Sequence, residues 1–308
     1  MSQGTTLQPE ATPDEHATAA ALTRHVAALA QAPRNLWHYE SLQRAAAYID
    51  REFTKAGYTP RHQGYDVAGR QVANIEAARR GHRRPDRIVV IGAHYDSIAD
   101  SPGANDNASG VAAMLELARM HAASTAAGLT VRFVGFVNEE PPYFMTDSMG
   151  SVRYAAEAAA RGDDIVAMIS LETIGYYSDA PGSQRYPFPF HWLFPNRGNF
   201  LAMVSNIGSV RALRTASRAF RSATRLPLIA SPAPASIPGV AWSDHWSFWQ
   251  HGYRAMMLTD TAPYRYPQYH STADTPERLD YERMAQAVTG CAAVIRAARS
   301  TRGTSRRG

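Results

Sequence analysis

Residues 87–97, RIVVIGAHYDS, decide the fold class. Arg87–Gly92 is a β-branched run without polar alternation, the pattern of a strand buried on both faces inside a parallel sheet. It stops in Ala93-His94-Tyr95-Asp96-Ser97, so an imidazole and a carboxylate stand where such a strand ends. Working outward, Thr130–Val137 (TVRFVGFV), Ile165–Leu171 and Met256–Asp260 read as further strands, and Gly110–His121 and Val152–Arg161 as helices. Upstream, apolar spacing predicts helices over Ala17–Gln31 and Tyr39–Lys55, the second stopped by Gly57, then strands Thr59–Tyr65 and Gln71–Ala77 joined by Ala68-Gly69. A last helix runs from Tyr281 to Arg299, opened by Asp280. Strands alternating with helices predict an α/β three-layer sandwich around a mostly parallel, mixed central sheet.

The chain has 308 residues, 45% hydrophobic and 19% charged, which excludes a disordered chain, a coiled coil and a collagen-like repeat. No linker composition divides it. Residues 1–15 read as a flexible leader, 16–299 as one domain with a long insertion at about 178–240, and 300–308 as a basic tail. The insertion starts as a proline-rich loop and then carries a strand, Phe200–Asn206, and a helix, Val210–Arg221. Cys291, the single cysteine, excludes an internal disulfide and leaves His and carboxylates to hold any metal. The net charge of +5 equals the five arginines of Arg296–Gly308, and only Lys55 among the 32 basic residues is a lysine. The tail reads as solvated, so no nucleic-acid partner is expected, and the knot Arg79–Arg87 reads as an exposed turn. There is neither a signal-peptide pattern nor an 18-residue apolar run, so no membrane span and a cytoplasmic location are expected, or secretion if translation starts upstream.

In open α/β sheets the ligand site lies at the carboxyl ends of the strands. Here those ends carry His94 and Asp96, then Asp106 in GANDNASG, Glu139-Glu140, Glu172, and His270 beyond Asp260. Each alone has a bland explanation, such as a helix cap by Asn107 or Ser109, but chemistry-bearing groups at every strand end do not. Imidazole and carboxylate without thiolate suit Zn²⁺ or another divalent first-row ion. Asp106, short and on a tight loop, suits a bridge between two ions. Of the consecutive Glu139 and Glu140, one can ligate while the other takes a proton from water. Asp96, two residues past His94, is placed to accept the other ring N–H.

The strings HYDS, GANDNASG, NEE, LETIG and YHSTADT, in that order from Leu22 to Ile295, resemble the co-catalytic zinc aminopeptidase family, with its glutamate carboxypeptidase and glutaminyl cyclase relatives. The resemblance implies a zinc-exopeptidase fold with two zinc ions per chain. His94 would bind one and His270 the other, with Asp106 between them, Glu140 on the His270 side and Glu172 on the His94 side. Glu139 would be the general base, Asp96 would orient His94, and Asp244 in Ser243-Asp244-His245 would buttress the site. The Asp106–Asn107 peptide is expected to be cis. Glu172 departs from the aspartate of the well-studied aminopeptidases, which leaves the second zinc open. The implied activity is release of the N-terminal residue from a peptide with a free N-terminus. The alternatives are a single-zinc glutaminyl cyclase using Asp106, Glu140 and His270, and a non-catalytic binding module.

Other features stay open. One of Tyr264, Tyr266 and Tyr269 would hold an oxyanion or simply pack. The run Tyr186–Pro195 reads as a surface loop, a pocket wall or a contact surface. Met256, Met257 and Cys291 read as core, and oligomeric state is not legible.

Overall fold

The computed structural model describes residues 12–123, 128–186, 188 and 192–300. Most of the expected leader and the tail from 301 onward lie outside the described residues. In chain order the elements are α1 (Pro13–Leu29), α2 (Tyr39–Lys55), β1 (Arg61–Val67), β2 (Arg70–Arg79), β3 (Arg84–His94), α3 (Gly110–Ala122), β4 (Leu129–Phe136), α4 (Gly150–Ala160), β5 (Asp164–Glu172), β6 (Leu201–Ser205), α5 (Val210–Arg221), β7 (Leu228–Pro232), α6 (His245–Trp249), β8 (Ala255–Thr259), α7 (Ala262–Arg265) and α8 (Tyr281–Ser300). The strands form one mixed sheet in the order β1-β2-β4-β3-β5-β8-β6-β7. The central four, β4, β3, β5 and β8, are mutually parallel, so all end on the same edge.

The expected three layers are present. Side chains of β3 alternate between two cores: Val89, Ile91 and Ala93 join the larger one under α1, α2, α3, α5 and α8, and Ile88 and Val90 the smaller one under α4 and α6. That double burial is why the run carries no polar alternation. Phe136, at the end of β4, is fully buried in the smaller core, edge-on to Tyr154 and Phe248. Gly92 lies beside it, where a Cβ would stand 2.3 Å from the Phe136 ring.

Several boundaries differ from expectation for local reasons. Helix α1 starts at Pro13 because Thr12 and Glu15 form a capping box: the Thr12 hydroxyl accepts the Glu15 N–H and the Glu15 carboxylate accepts that of Thr12. The arginine-rich stretch 79–87 is mostly strand rather than exposed turn, since β2 runs through Arg79 and β3 begins at Arg84. Gly81 makes the tight reversal possible by pressing onto β4, where a Cβ would lie 2.4 Å from the Leu129 carbonyl carbon. Residues 201–232, read as part of an insertion, extend the sheet instead: β6 pairs antiparallel with β8, β7 lies parallel to β6, and α5 packs against α8. Strand β7, LIASP, and the five-residue α6 are too short to leave a periodic signal.

Because Phe136 fills the junction of three elements, Phe136→Ala is expected to lower the unfolding free energy by about 3–5 kcal/mol, read by equilibrium urea denaturation.

Candidate metal centre

Strand β3 ends at His94, paired in register with Phe136 of β4, and the chain loops through 95–103 to the segment 104–109 that enters α3. The Asp106–Asn107 peptide is cis, as expected. Both asparagines around Asp106 act as staples. Asn107 accepts the Gly110 and Thr173 N–H groups and donates to the Leu171 carbonyl, joining the start of α3 to the end of β5. Asn105 accepts the Gly175 N–H and donates to Asp260. Two groups beside the ligand candidates occupy the left-handed region without being glycine, Asn138 (φ 59°) and Thr173 (φ 44°), and so does His270 itself (φ 58°). Such residues persist only where their surroundings hold them.

The predicted donors converge. Asp106 turns one oxygen to each histidine: Oδ1 lies 3.3 Å from His94 Nε2 and Oδ2 lies 3.1 Å from His270 Nε2. Glu172 Oε2 is 3.4 Å from His94 Nε2, Glu140 Oε2 is 3.5 Å from His270 Nε2, and Glu139 Oε2 is 3.8 Å from His94 Nε2. Ligand atoms of His94, Asp106 and Glu140 all fall within 4.8 Å of one another. All of these side chains are buried except that of His270, which is 30% exposed and forms the open side.

Electrostatics favour a cation here. Burial works against charge on Asp106, but His270 and His94 outweigh it and hold the carboxyl well below its usual range. Burial likewise opposes charge on His94, and Glu172 and Glu139 outweigh it, raising the imidazole well above its usual value. Glu139 and Glu140 are pushed well up, first by burial and then by neighbouring carboxylates. Among the described residues, neither ring nitrogen of buried His94 makes a hydrogen bond, nor does Glu140 Oε1. Orphaned buried donors of this kind call for a partner, and a nitrogen-and-oxygen set without thiolate fits zinc.

Asp96 does more than expected and does it differently. Its Oδ1 is 3.5 Å from His94 Nδ1, without forming a hydrogen bond, while its two oxygens accept the N–H groups of Glu139 and Glu140 at 3.1 Å each. It therefore fixes the turn that presents both glutamates. In the Ser243-Asp244-His245 stretch the serine makes the direct contact, its Oγ donating to Glu172 Oε2 at 2.8 Å. Asp244 is fully buried nearby, its carboxyl raised by burial to about 7. His245 points elsewhere, its Nε2–H donating to the Val240 carbonyl at 2.8 Å. Asp274, inside YHSTADT, was not singled out from sequence, yet it accepts the N–H groups of Asn105 and Asp106 at 2.8 and 3.0 Å.

Of the three tyrosines, Tyr269 stacks on His270 with centroids 3.8 Å apart, whereas Tyr266 donates to Asp274 and Tyr264 to the Pro238 carbonyl. An apolar groove starts at Glu172 and Tyr269 and runs between Ala202, Val204, Ile229 and Met257. Among the described residues, Glu172 is the single charged one in its lining. Met256 and Met257 are both buried, as expected; Met256 packs in the larger core cluster and Met257 also lines the groove. Tyr186 and Phe194 of the aromatic run are pocket wall. Phe188, Trp192 and Leu193 are exposed, and residues 187 and 189–191 lie outside the described residues. No helix among the described residues is long and apolar enough to cross a membrane.

With this geometry in view, the profile described as peptidase family M28 matches residues 74–295. The chain is 42% identical over 287 residues to the uncharacterized protein YfbL of Escherichia coli (strain K12), covering 89% of this chain and 87% of that one. It spans only 12% to 52% of the length of further curated relatives named as zinc metalloproteases or aminopeptidases. Among solved structures, an aminopeptidase from Aneurinibacillus sp. strain AM-1 superposes with TM-score 0.69 at 18% identity, covering 92% of this chain and 95% of that one. The glutaminyl cyclase of Fimbriiglobus ruber superposes with TM-score 0.70 at 17% identity, covering 96% and 99%. At such identities the likeness is one of fold.

The buried His245 generates a pH dependence of known sign. Burial pushes its pKa from 6.5 down to about 4. Between those values the unfolded chain takes up a proton that the folded chain refuses, so stability is lost as pH falls through that window, by about 3 kcal/mol in total. His245→Gln keeps a donor for the Val240 carbonyl and removes the titration. The difference in unfolding free energy between wild type and variant is expected to shrink by that amount from pH 7 to pH 4, and urea unfolding at the two values checks it.

Proposed function

The chain belongs to peptidase family M28, the zinc-dependent, aminopeptidase-like metallohydrolases, and on that premise we propose that it removes the N-terminal residue from peptides with two zinc ions bound per chain. One ion would be held by His94, Asp106 and Glu172, the other by Asp106, Glu140 and His270. The observation that carries this reading is Asp106, whose two oxygens face two different histidines at 3.3 and 3.1 Å. Glu172 supports the His94 side, since its longer side chain still brings Oε2 to 3.4 Å from His94 Nε2 and is steadied there by Ser243.

Zinc, when bound, supplies a Lewis acid for the scissile carbonyl and lowers the pKa of water. The chain's own residues do the rest. Glu139, with burial raising its proton affinity, accepts the proton of the attacking water and returns it to the leaving amine. Asp96 keeps Glu139 and Glu140 in register through their backbone N–H groups. Of the three tyrosines, Tyr269, stacked on His270, would be the candidate to donate to a developing oxyanion. The groove beyond Glu172 would receive the side chain of the N-terminal residue, and its lining favours an apolar one.

The test is elemental analysis of protein purified without chelator, together with hydrolysis of aminoacyl-nitroanilides. About two zinc ions per chain and hydrolysis of leucyl or phenylalanyl substrates ahead of glutamyl ones are expected. One zinc with pyroglutamate formation and no hydrolysis would transfer the chain to the cyclase reading, and no metal at all would refute both. Glu139→Gln is expected to keep fold and zinc while lowering kcat by about a thousandfold. Loss of zinc in that variant would make Glu139 a ligand.

A further inference from the structure

Three carbonyl groups at the back of the metal centre converge on one buried side chain. Arg34, in the link between α1 and α2, is 1% exposed. Its Nε–H donates to the Tyr95 carbonyl at 2.7 Å, Nη2–H to the Gly103 carbonyl at 2.8 Å, and Nη1–H to the Pro102 carbonyl. Its backbone adds two bonds, donating its N–H to Ser97 Oγ and accepting the Ser97 N–H. Next to it, Asn35 Nδ2 donates to the carbonyls of Ser97 and Ala99 at 2.8 and 2.7 Å. Two residues well before the family match at 74–295 thus fasten the whole loop 95–103.

That loop joins His94 to the Asp106 segment. Tyr95 directly follows the histidine, and Gly103 stands three residues before the aspartate. Gly103 adopts φ 61°, and a Cβ on it would lie 2.3 Å from the Asp106 carbonyl oxygen and 2.6 Å from Ser97 Cβ, so the loop has no slack at that end. The guanidinium is where the two ends meet. Burial pushes its pKa down to about 10, with Asp274, Asp96, Asp106 and Glu140 pulling it back up, so it stays charged at neutral pH. A planar fork of five N–H donors reaches three carbonyls at once, whereas an ammonium on a single stem does not reproduce that geometry.

We propose that Arg34 is a positioning residue of the zinc centre, holding His94 and Asp106 at ligand spacing by clamping both ends of the loop between them. The proposal rests on the zinc reading of the site. It deepens that reading by placing part of the centre's support in the link after α1.

The experiment compares wild type, Arg34→Lys and Arg34→Met as full chains. Zinc affinity is measured by competition with a chromophoric chelator, the visible spectrum of the cobalt-substituted proteins is recorded, and thermal melts are run in excess chelator. Arg34→Lys is expected to weaken zinc binding by about tenfold to a hundredfold and to alter the cobalt spectrum, while the chelated protein still melts cooperatively. Arg34→Met is expected to weaken it further, and if that variant does not fold the lysine variant decides. Wild-type zinc affinity and an unchanged cobalt spectrum in Arg34→Lys overturn the proposal, whether or not that variant melts lower. A wild type that binds neither zinc nor cobalt overturns the zinc reading itself and the proposal with it.

Discussion

Burying six carboxylates beside one imidazole at the edge of a sheet is the constraint to which the rest of the structure answers. Asp96, Asp106, Glu139, Glu140, Glu172 and Asp244 are all buried around His94. Like charges at such density repel strongly in a low-dielectric interior, and each anion left without a partner is costly. The fold offsets this with fixed dipoles. Asp96 takes two backbone N–H groups, Asp274 takes two more beneath Asp106, and Ser243 donates to Glu172. What these do not offset, the histidines and the cation that the site is shaped for must. The open side at His270 is the route by which such an ion and a substrate would arrive.

How far the sequence discloses this depends on the distance over which each residue acts. The parallel core was legible because double burial leaves an uninterrupted apolar signature, and the donors were legible because a strand delivers them one after another to the same edge. His94, Glu140 and Glu172 follow that rule, Asp106 and His270 sit in loops beyond β3 and β8 where the quoted strings GANDNASG and YHSTADT marked them, and the structure brings all five together. Arg34 leaves no such trace: it binds carbonyls 61 to 69 residues away, and a carbonyl exists at every position of a chain. Asp274 lay inside a quoted string, yet its link to the site runs through the backbone N–H groups of Asn105 and Asp106, which no side-chain pattern reports. The strand β6 was legible within the expected insertion, but β7 was missed because a five-residue edge strand ending in proline reads equally well as loop.

The fold does not choose the reaction. An aminopeptidase and a glutaminyl cyclase superpose on this chain about equally well. What supports the two-ion reading is local: His94 and Glu172 stand beside one oxygen of Asp106 as a second set of donors. Chemistry of this kind is written in a few side-chain atoms on a scaffold that tolerates several outcomes.

The groove has a further consequence for how this protein can change over time. Along β6, β7 and β8 the groove is lined by Ala202, Val204, Ile229, Ser231, Met257 and Thr259, which pair with one another across the strands. Their immediate neighbours Leu201, Met203, Leu228, Met256 and Leu258 belong to the core on the opposite face. Side chains of a strand alternate between faces, so if the groove receives substrate, its range and the folding stability are set by interleaved positions of the same three strands. A lineage exploring new substrates here walks in steps of two, and a step of one lands on the foundations.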